Sequence, residues 1–162
     1  MNKIIIFAAV STSLMGLMAQ PAMAGTASSS FPVNATISTA CALGATAMSF
    51  GEVSVSGVAT IQNDSTSTVT VTCTNGGSYS VSLDGGLNGV AAQRNMASGS
   101  DRLNYDLYKD AARGTVWTNV TAPHAGVGNG IAQAITLYGR VAAGLPFTAG
   151  IYTDTVSVTI TY

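Results

Sequence analysis

The sequence predicts an all-β domain of sandwich type, and three observations carry that expectation. Apolar residues alternate with Ser and Thr over short runs. Gly-, Asn- and Asp-rich turns separate those runs, and beyond the first two dozen residues no segment shows a helical period. Six or seven short strands with such punctuation suit two packed sheets.

The elements follow in chain order. Residues 1–24 read as a secretory signal peptide, with Lys3 as the charged start, Ile4 to Met18 as a mostly apolar stretch, and Ala22-Met23-Ala24 as a small-x-small cleavage site. The stretch is short for a membrane span, which sets cleavage ahead of an uncleaved anchor. Cleavage leaves about 138 of the 162 residues, enough for one domain with a real core.

Behind the leader, Gly25–Ile37 (GTASSSFPVNATI) has a small, polar first half. In its second half Phe31, Val33, Ala35 and Ile37 share one face and Pro32, Asn34 and Thr36 the other. This arm is strand-competent without a local hairpin partner. Pro32 lacks a donor N–H, so it belongs at an edge-facing or hinge position. Either it divides the arm, or Phe31–Ile37 is mainly the domain's own first strand.

Further on, 47–55 (AMSFGEVSV) has strand character with a Gly bend, and 65–74 (STSTVTVTCT) alternates strongly before the Asn75-Gly76-Gly77 turn. Tyr79–Leu83 alternates and stops at Asp84-Gly85-Gly86; residues 84–101 read as a loop carrying Arg94 and Met96. Leu103–Tyr108 forms a strand, Val116-Trp117 a short one, and Thr121–Gly130 a loop. Gln133–Val141 and Tyr152–Tyr162 are the last two strands. Gly150-Ile151-Tyr152 has the form of a tyrosine corner. In the final strand Val156, Val158, Ile160 and Tyr162 face one way, and nothing follows to cover its edge, an exposed row of backbone groups beside an apolar face.

Composition narrows the function. Charged residues are 8% of the chain and the net charge is −1, so no basic patch recruits nucleic acid. Two cysteines, Cys41 and Cys73, in an exported chain make one disulfide the natural assignment. Closing a loop of about 33 residues is worth about 3–4 kcal/mol in the chain-entropy picture. Two free thiols or half a metal site is the weaker alternative, because no ligand cluster accompanies them.

Catalytic chemistry finds no constellation. His124 is the sole histidine, in a Pro/Gly loop, and reads as solvated. The aspartates at 84, 101, 106 and 110 lack the ligand spacing of a calcium loop, and no serine has a nearby histidine. Trp117, Tyr105 and Tyr108 fit core packing better than a carbohydrate platform. Asp154 shares the inward parity of Val156 and needs a partner if buried, with Arg140 or Arg102 as candidates. The chain therefore reads as no enzyme and as needing no cofactor.

Several stretches resemble the spore coat U domain family, which in Gram-negative bacteria includes subunits of archaic chaperone–usher pili. They are Ile37–Cys41, Val71-Thr72-Cys73, YSVSLDGG at 79–86, Arg94-Asn95-Met96, LNYDLYKDAARGTVW at 103–117, LYGRV at 137–141 and AGIYTDTVSVTITY at 149–162. The resemblance implies an incomplete immunoglobulin-like β-sandwich lacking its last strand. A periplasmic chaperone, and then the arm of a neighbouring copy, would supply that strand, the strand-addition mode of recognition known for pilins.

Carried onto this chain, the family's organisation gives a signal peptide at 1–24, a donor-strand extension at 25–36 and the pilin domain at 37–162. Ala27, Ser29, Phe31, Val33 and Ala35 would be donor residues. Val156, Val158, Ile160 and Tyr162 would line the acceptor groove. Implied partners are other copies in a fibre, a periplasmic chaperone and an outer-membrane usher, with the product a surface pilus supporting adhesion and biofilm formation. The alternative is a self-folding secreted adhesive or coat module that binds a surface ligand.

Overall fold

In the computed structural model of the chain, residues 23–56, 59–60, 62–118, 123–144 and 148–162 are described. The leader expected over 1–24 lies outside them except for its last two residues. The chain divides into Met1–Ala35 and Thr36–Tyr162, and only the second unit contains strands among the described residues.

The larger unit holds ten: β1 (Cys41–Ala45), β2 (Val55–Ser56), β3 (Ala59–Thr60), β4 (Asn63–Cys73), β5 (Ser78–Leu83), β6 (Arg94–Ser98), β7 (Asp101–Tyr108), β8 (His124–Val127), β9 (Gln133–Val141) and β10 (Val158–Thr161). A five-stranded sheet has the order β1-β4-β9-β7-β6, and a three-stranded sheet the order β10-β5-β8; β2 and β3 pair with each other. The pairings are antiparallel throughout.

The alternation read from the sequence becomes the core. Val69, Val71 and Cys73 of β4, Leu103, Tyr105 and Leu107 of β7, and Ile135, Leu137 and Val141 of β9 point inward from the larger sheet. Tyr79, Val81 and Leu83 of β5 meet them from the smaller one, with Trp117 fully buried beside them. A period of two puts every second side chain on the same face, so each strand contributes three or more anchors. The result is the sandwich-like all-β fold that the sequence predicts.

Several local expectations change. Residues 46–54 form no strand. They lie instead on the inner face of the larger sheet, held by side chains of β4: Ser67 Oγ donates to Thr46 O, Ser65 Oγ to Ser49 O and Asn63 Nδ2 to Phe50 O, at 2.5, 2.5 and 2.9 Å. Gly139 makes room for this layer, since a Cβ there would strike Met48 and approach Phe50.

The stretch 84–101 is not all loop, because β6 runs through it with Arg94 and Asn95 buried. Likewise β8 occupies part of the expected loop at 121–130, where residues 119–122 are outside the description. His124 is accordingly not a solvated loop residue: half-buried in β8, its ring centroid lies 5.9 Å from that of Trp117. Val116 makes only a single bridge to Tyr108.

The final strand changes sheets. Thr153 exchanges both backbone hydrogen bonds with Ala97 of β6, at 2.8 and 3.1 Å, at the edge of the larger sheet. From Thr155 onward the chain bonds to the other layer: Leu87 N donates to Thr155 O, Asp84 N to Ser157 O, and β10 then pairs with β5. Tyr152 forms the expected tyrosine corner, its hydroxyl donating to Thr148 O at 2.8 Å.

Candidate functional site

Between Ala45–Phe50 and the descending stretch 152–158 lies an open cleft of about 330 Å³. Its floor is formed by core residues, including Val69, Leu83, Tyr105, Leu107 and Leu137. A second cleft of about 620 Å³ continues from it past Tyr152 and Ile151, and Met48, Phe50, Met96 and Tyr152 line both. Together they make one long groove whose bottom is apolar.

At one end the groove runs into two strand edges, those of β1 and β10. In an antiparallel pair the backbone groups of alternate residues point to opposite sides. Ser157 O accepts from Asp84 on the β5 side, so Ser157, Thr159 and Thr161 face β5, and the N–H and C=O of Val156, Val158 and Ile160 face the open side. The same reasoning holds for β1, where Ala40 O and Thr46 N bond to β4 through Thr74 and Thr68. Cys41, Leu43 and Ala45 therefore direct their backbone groups away from β4. Among the described residues no strand lies on either open edge.

The groove narrows toward the end where the chain stops, and there Cα atoms of β1 and β10 come within 8 Å. A strand laid between two others needs about 9–10 Å between its neighbours.

The disulfide Cys41–Cys73, with an S–S distance of 2.02 Å, ties the first residue of β1 to the last of β4 at that narrow end. Of the residues expected to form an acceptor surface, Val156 and Val158 line the cleft and Ile160 packs partly buried against the core. Tyr162, the fourth of them, is 60% exposed. The expected donor residues Ala27, Ser29, Phe31, Val33 and Ala35 are all exposed, Phe31 at 82% and Val33 at 81%, and no strand forms between residues 23 and 40.

Sequence reasoning missed the opposite wall, Ala45–Phe50, because 47–55 read as a strand with a Gly bend. It also missed the polar support below the groove. Asp154 does not pair with Arg140 or Arg102. Its Oδ2 accepts from Tyr105 Oη at 2.7 Å, and its Oδ1 from Asn88 N and Nδ2 at 3.0 and 3.1 Å. Arg140 is engaged with Asp64 in a two-bond pair, and Arg102 donates to Gly99 and Asp101 carbonyls.

Burial, and then the hydrogen bond to Asp154, push the Tyr105 hydroxyl well above the usual tyrosine range, so it remains a donor. Gly86, at φ 79°, is required beside this carboxylate: a Cβ there would collide with Asp154. Together these contacts pin the point where the last strand leaves one sheet for the other.

Beneath the same corner, Arg94 is buried and donates to Asp84 O through Nε and Nη2 and to Trp117 O through Nη1, at 3.0, 2.6 and 2.7 Å. Its guanidinium satisfies carbonyls that a closed ladder would otherwise serve. Burial of Asp84 acts to raise its pKa, but hydrogen bonds from Gly86 N and Ser157 N outweigh it and hold the carboxyl below its ordinary value.

Among the described residues no group of three or more His, Cys, Asp or Glu is placed to hold a metal. The groove offers apolar floor and free main-chain bonds, which suit an extended peptide segment.

Comparison with known proteins places the domain among relatives. The Spore Coat Protein U domain family matches residues 27–159. Protein U of Myxococcus xanthus is 32% identical over 182 aligned positions, covering 100% of both chains. Among solved structures, the chaperone–tip adhesion subunit pre-assembly complex CsuC–CsuE, from archaic chaperone–usher Csu pili of Acinetobacter baumannii, contains a chain with 25% identity and a TM-score of 0.57. That match covers 78% of this chain, which spans only 40% of the other.

Proposed function

The chain belongs to the Spore Coat Protein U domain family, and on that premise we propose that it is a structural subunit of a surface pilus assembled by the chaperone–usher pathway through donor-strand exchange. One observation carries the reading. An apolar groove runs into the open edges of β1 and β10, and an exposed arm able to alternate precedes β1 in the chain. In this reading the sandwich lacks its last strand. The arm at 25–36 of another copy supplies it, through Ala27, Ser29, Phe31, Val33 and Ala35, and Val156, Val158, Ile160 and Tyr162 accept it.

Polarity decides between an open fibre and a closed pair. The arm joins β1 at the end of the sandwich that carries the β4–β5 turn, where Ala40 bonds to Thr74. If an incoming arm runs antiparallel to β10, its own body docks at the opposite end of the acceptor, and the arrangement repeats head to tail. If it runs parallel, two bodies meet at like ends and their arms exchange in a closed pair. A heterologous contact propagates, whereas an isologous one closes.

The solved relative was captured with a chaperone, and the same groove would hold a periplasmic chaperone's strand before polymerisation at an outer-membrane usher. Residues 1–24 would direct export, and adhesion and biofilm formation would follow at the cell surface. The full-length match to Protein U favours a second reading, a coat or adhesive module that folds alone.

Expression of residues 25–162 without a chaperone separates the two. The pilus reading expects an unstable or aggregating product that a peptide of residues 25–37 rescues, and a Phe31→Arg peptide that fails to rescue. A stable soluble monomer with protected amides on both edges of β10 would establish the self-folding module instead.

A further inference from the structure

We propose that Pro32 and the size gradient of the arm fix the register of the inserted strand, with Phe31 opposite Val156 and the start of the mature chain level with Tyr162. This rests on the donor-strand reading above and specifies which contacts it makes. Two observations converge on it.

The first is the missing N–H. If the arm runs antiparallel to β10 with Phe31 facing inward, its inward residues exchange backbone hydrogen bonds with Val156, Val158 and Ile160. Its outward residues, Pro32 among them, then face the Ala45–Phe50 wall. That wall asks little of Pro32, since β1 ends at Ala45 and the carbonyls of Thr46, Ser49 and Phe50 already accept from Ser67, Ser65 and Asn63. A parallel arm turns Pro32 toward β10 instead, where a free carbonyl loses its donor.

The second is the match of size. From Gly25 to Ser30 the arm has nothing larger than Thr, whereas Phe31, Val33 and Ile37 follow on the inward parity. The groove is narrow between β1 and β10 and opens into the clefts beyond Ala45 and Val158. An antiparallel arm lays its small residues in the narrow part, where β1 and β10 approach within 8 Å and must part to admit a strand. It then sets Phe31 over the wide floor.

Opposite Phe31, Val158 stands at the narrow end and Asp154 presents a carboxylate held by Tyr105 and Asn88. Val156 remains as the apolar partner. Ser29 then pairs with Val158, Ala27 with Ile160 and Gly25 with Tyr162, while the smaller Val33 falls level with Asp154, whose carboxylate is already engaged by Tyr105 and Asn88. The weak first half of the arm is thereby a fit to its site.

Disulfide trapping reads the register directly. Outward pairs on the same ladder are solvent-facing, so Ser30→Cys and Ser28→Cys are each combined in the full mature chain with Thr155→Cys, Ser157→Cys or Thr159→Cys. Assembly is initiated from the chaperone-bound subunit under mild oxidation, and products are resolved without reductant. The expected result is a ladder of covalent multimers for 30 with 157 and for 28 with 159, at least tenfold above the other combinations.

Multimers that instead trap 30 with 155 or 159 overturn the register while leaving strand donation intact. A cross-link closed within one chain also overturns it. Failure of the parent chain, with its native disulfide only, to form fibres at all overturns strand donation itself. Pro32→Ala fibres of unchanged stability are expected, and Ser29→Pro, which removes an N–H aimed at β10, should lower fibre yield at least tenfold. Equal tolerance of both prolines contradicts the assignment.

Discussion

Removing the Asp154 carboxylate should loosen the last strand at the point where it crosses between sheets. Three hydrogen bonds end on Asp154, at 2.7, 3.0 and 3.1 Å. Asn88 lies where water can replace part of what it loses, but Tyr105 is only 5% exposed and its hydroxyl would be left without its acceptor. A bond to a charged group is worth about 1.5–3 kcal/mol, and an orphaned buried donor costs about 1–3 kcal/mol.

Asp154→Ala should therefore cost about 3 kcal/mol and Tyr105→Phe about 1.5 kcal/mol. The double variant should lie close to Asp154→Ala alone, because removing the hydroxyl also removes the orphan; the coupling is then about 1–2 kcal/mol. Guanidinium unfolding of assembled fibres, followed by emission from Trp117, the chain's single tryptophan, supplies the four free energies. Additive losses, with coupling below about 0.5 kcal/mol, would show that the pair does not anchor the crossing. Asp154→Asn serves as a milder control, and an unchanged fibre stability for it would remove the role of the charge.

Two further outcomes follow from the same structure. Asp64, Asp84 and Asp110 all sit below their ordinary pKa: Asp64 chiefly through Arg140, Asp110 through the N–H groups of Gly114 and Thr115, and Asp84 through those of Gly86 and Ser157 against the opposing effect of its burial. A depressed carboxylate contributes stability that is fully present above its unfolded value, about 3.9, and is lost as pH falls through the folded value. Fibre stability measured from pH 7 to pH 2 should decline below about pH 4, with a shallower decline in Asp84→Asn. Cys41→Ser with Cys73→Ser should cost about 3–4 kcal/mol, read as a lowered unfolding midpoint that reductant reproduces in the parent chain and leaves unchanged in the variant.

What the sequence made legible was set by periodicity. Strands β4, β5, β7 and β9 carry unbroken alternation because one face of each meets the core, and that signal is local. In contrast, β6 was hidden: its buried residues are Arg94 and Asn95, and it lies among Gly and Ser, so no apolar pattern marks it. Arg94 and Met96 read as loop residues, and the Arg94-Asn95-Met96 run stands out as a unit through family resemblance. The partner of Asp154 was equally out of reach, since Tyr105 lies 49 residues away and sequence charge suggested an arginine.

The groove was half legible. Val156 and Val158 announce themselves on the last strand, but the facing wall is an irregular layer held by Ser65, Ser67 and Asn63. Its position depends on small and polar residues of another strand, which no local pattern encodes. The arm's alternation was legible as well, and it marks capacity to form a strand, for all of its side chains are exposed.

The disulfide has a mechanical meaning. Cys41 is the first residue of β1 and lies directly behind the arm. In the proposed fibre, tension drawn through a donated arm would reach Cys41 before it reaches the hydrogen bonds of β1. The S–S link passes that load covalently to Cys73, at the end of an eleven-residue strand that is bonded along most of its length to β9. The ladder of β1 is spared from being peeled open one bond at a time. Force instead enters β4 along its axis, where many backbone bonds resist in shear together, and a subunit stretched in this way yields as a whole sheet.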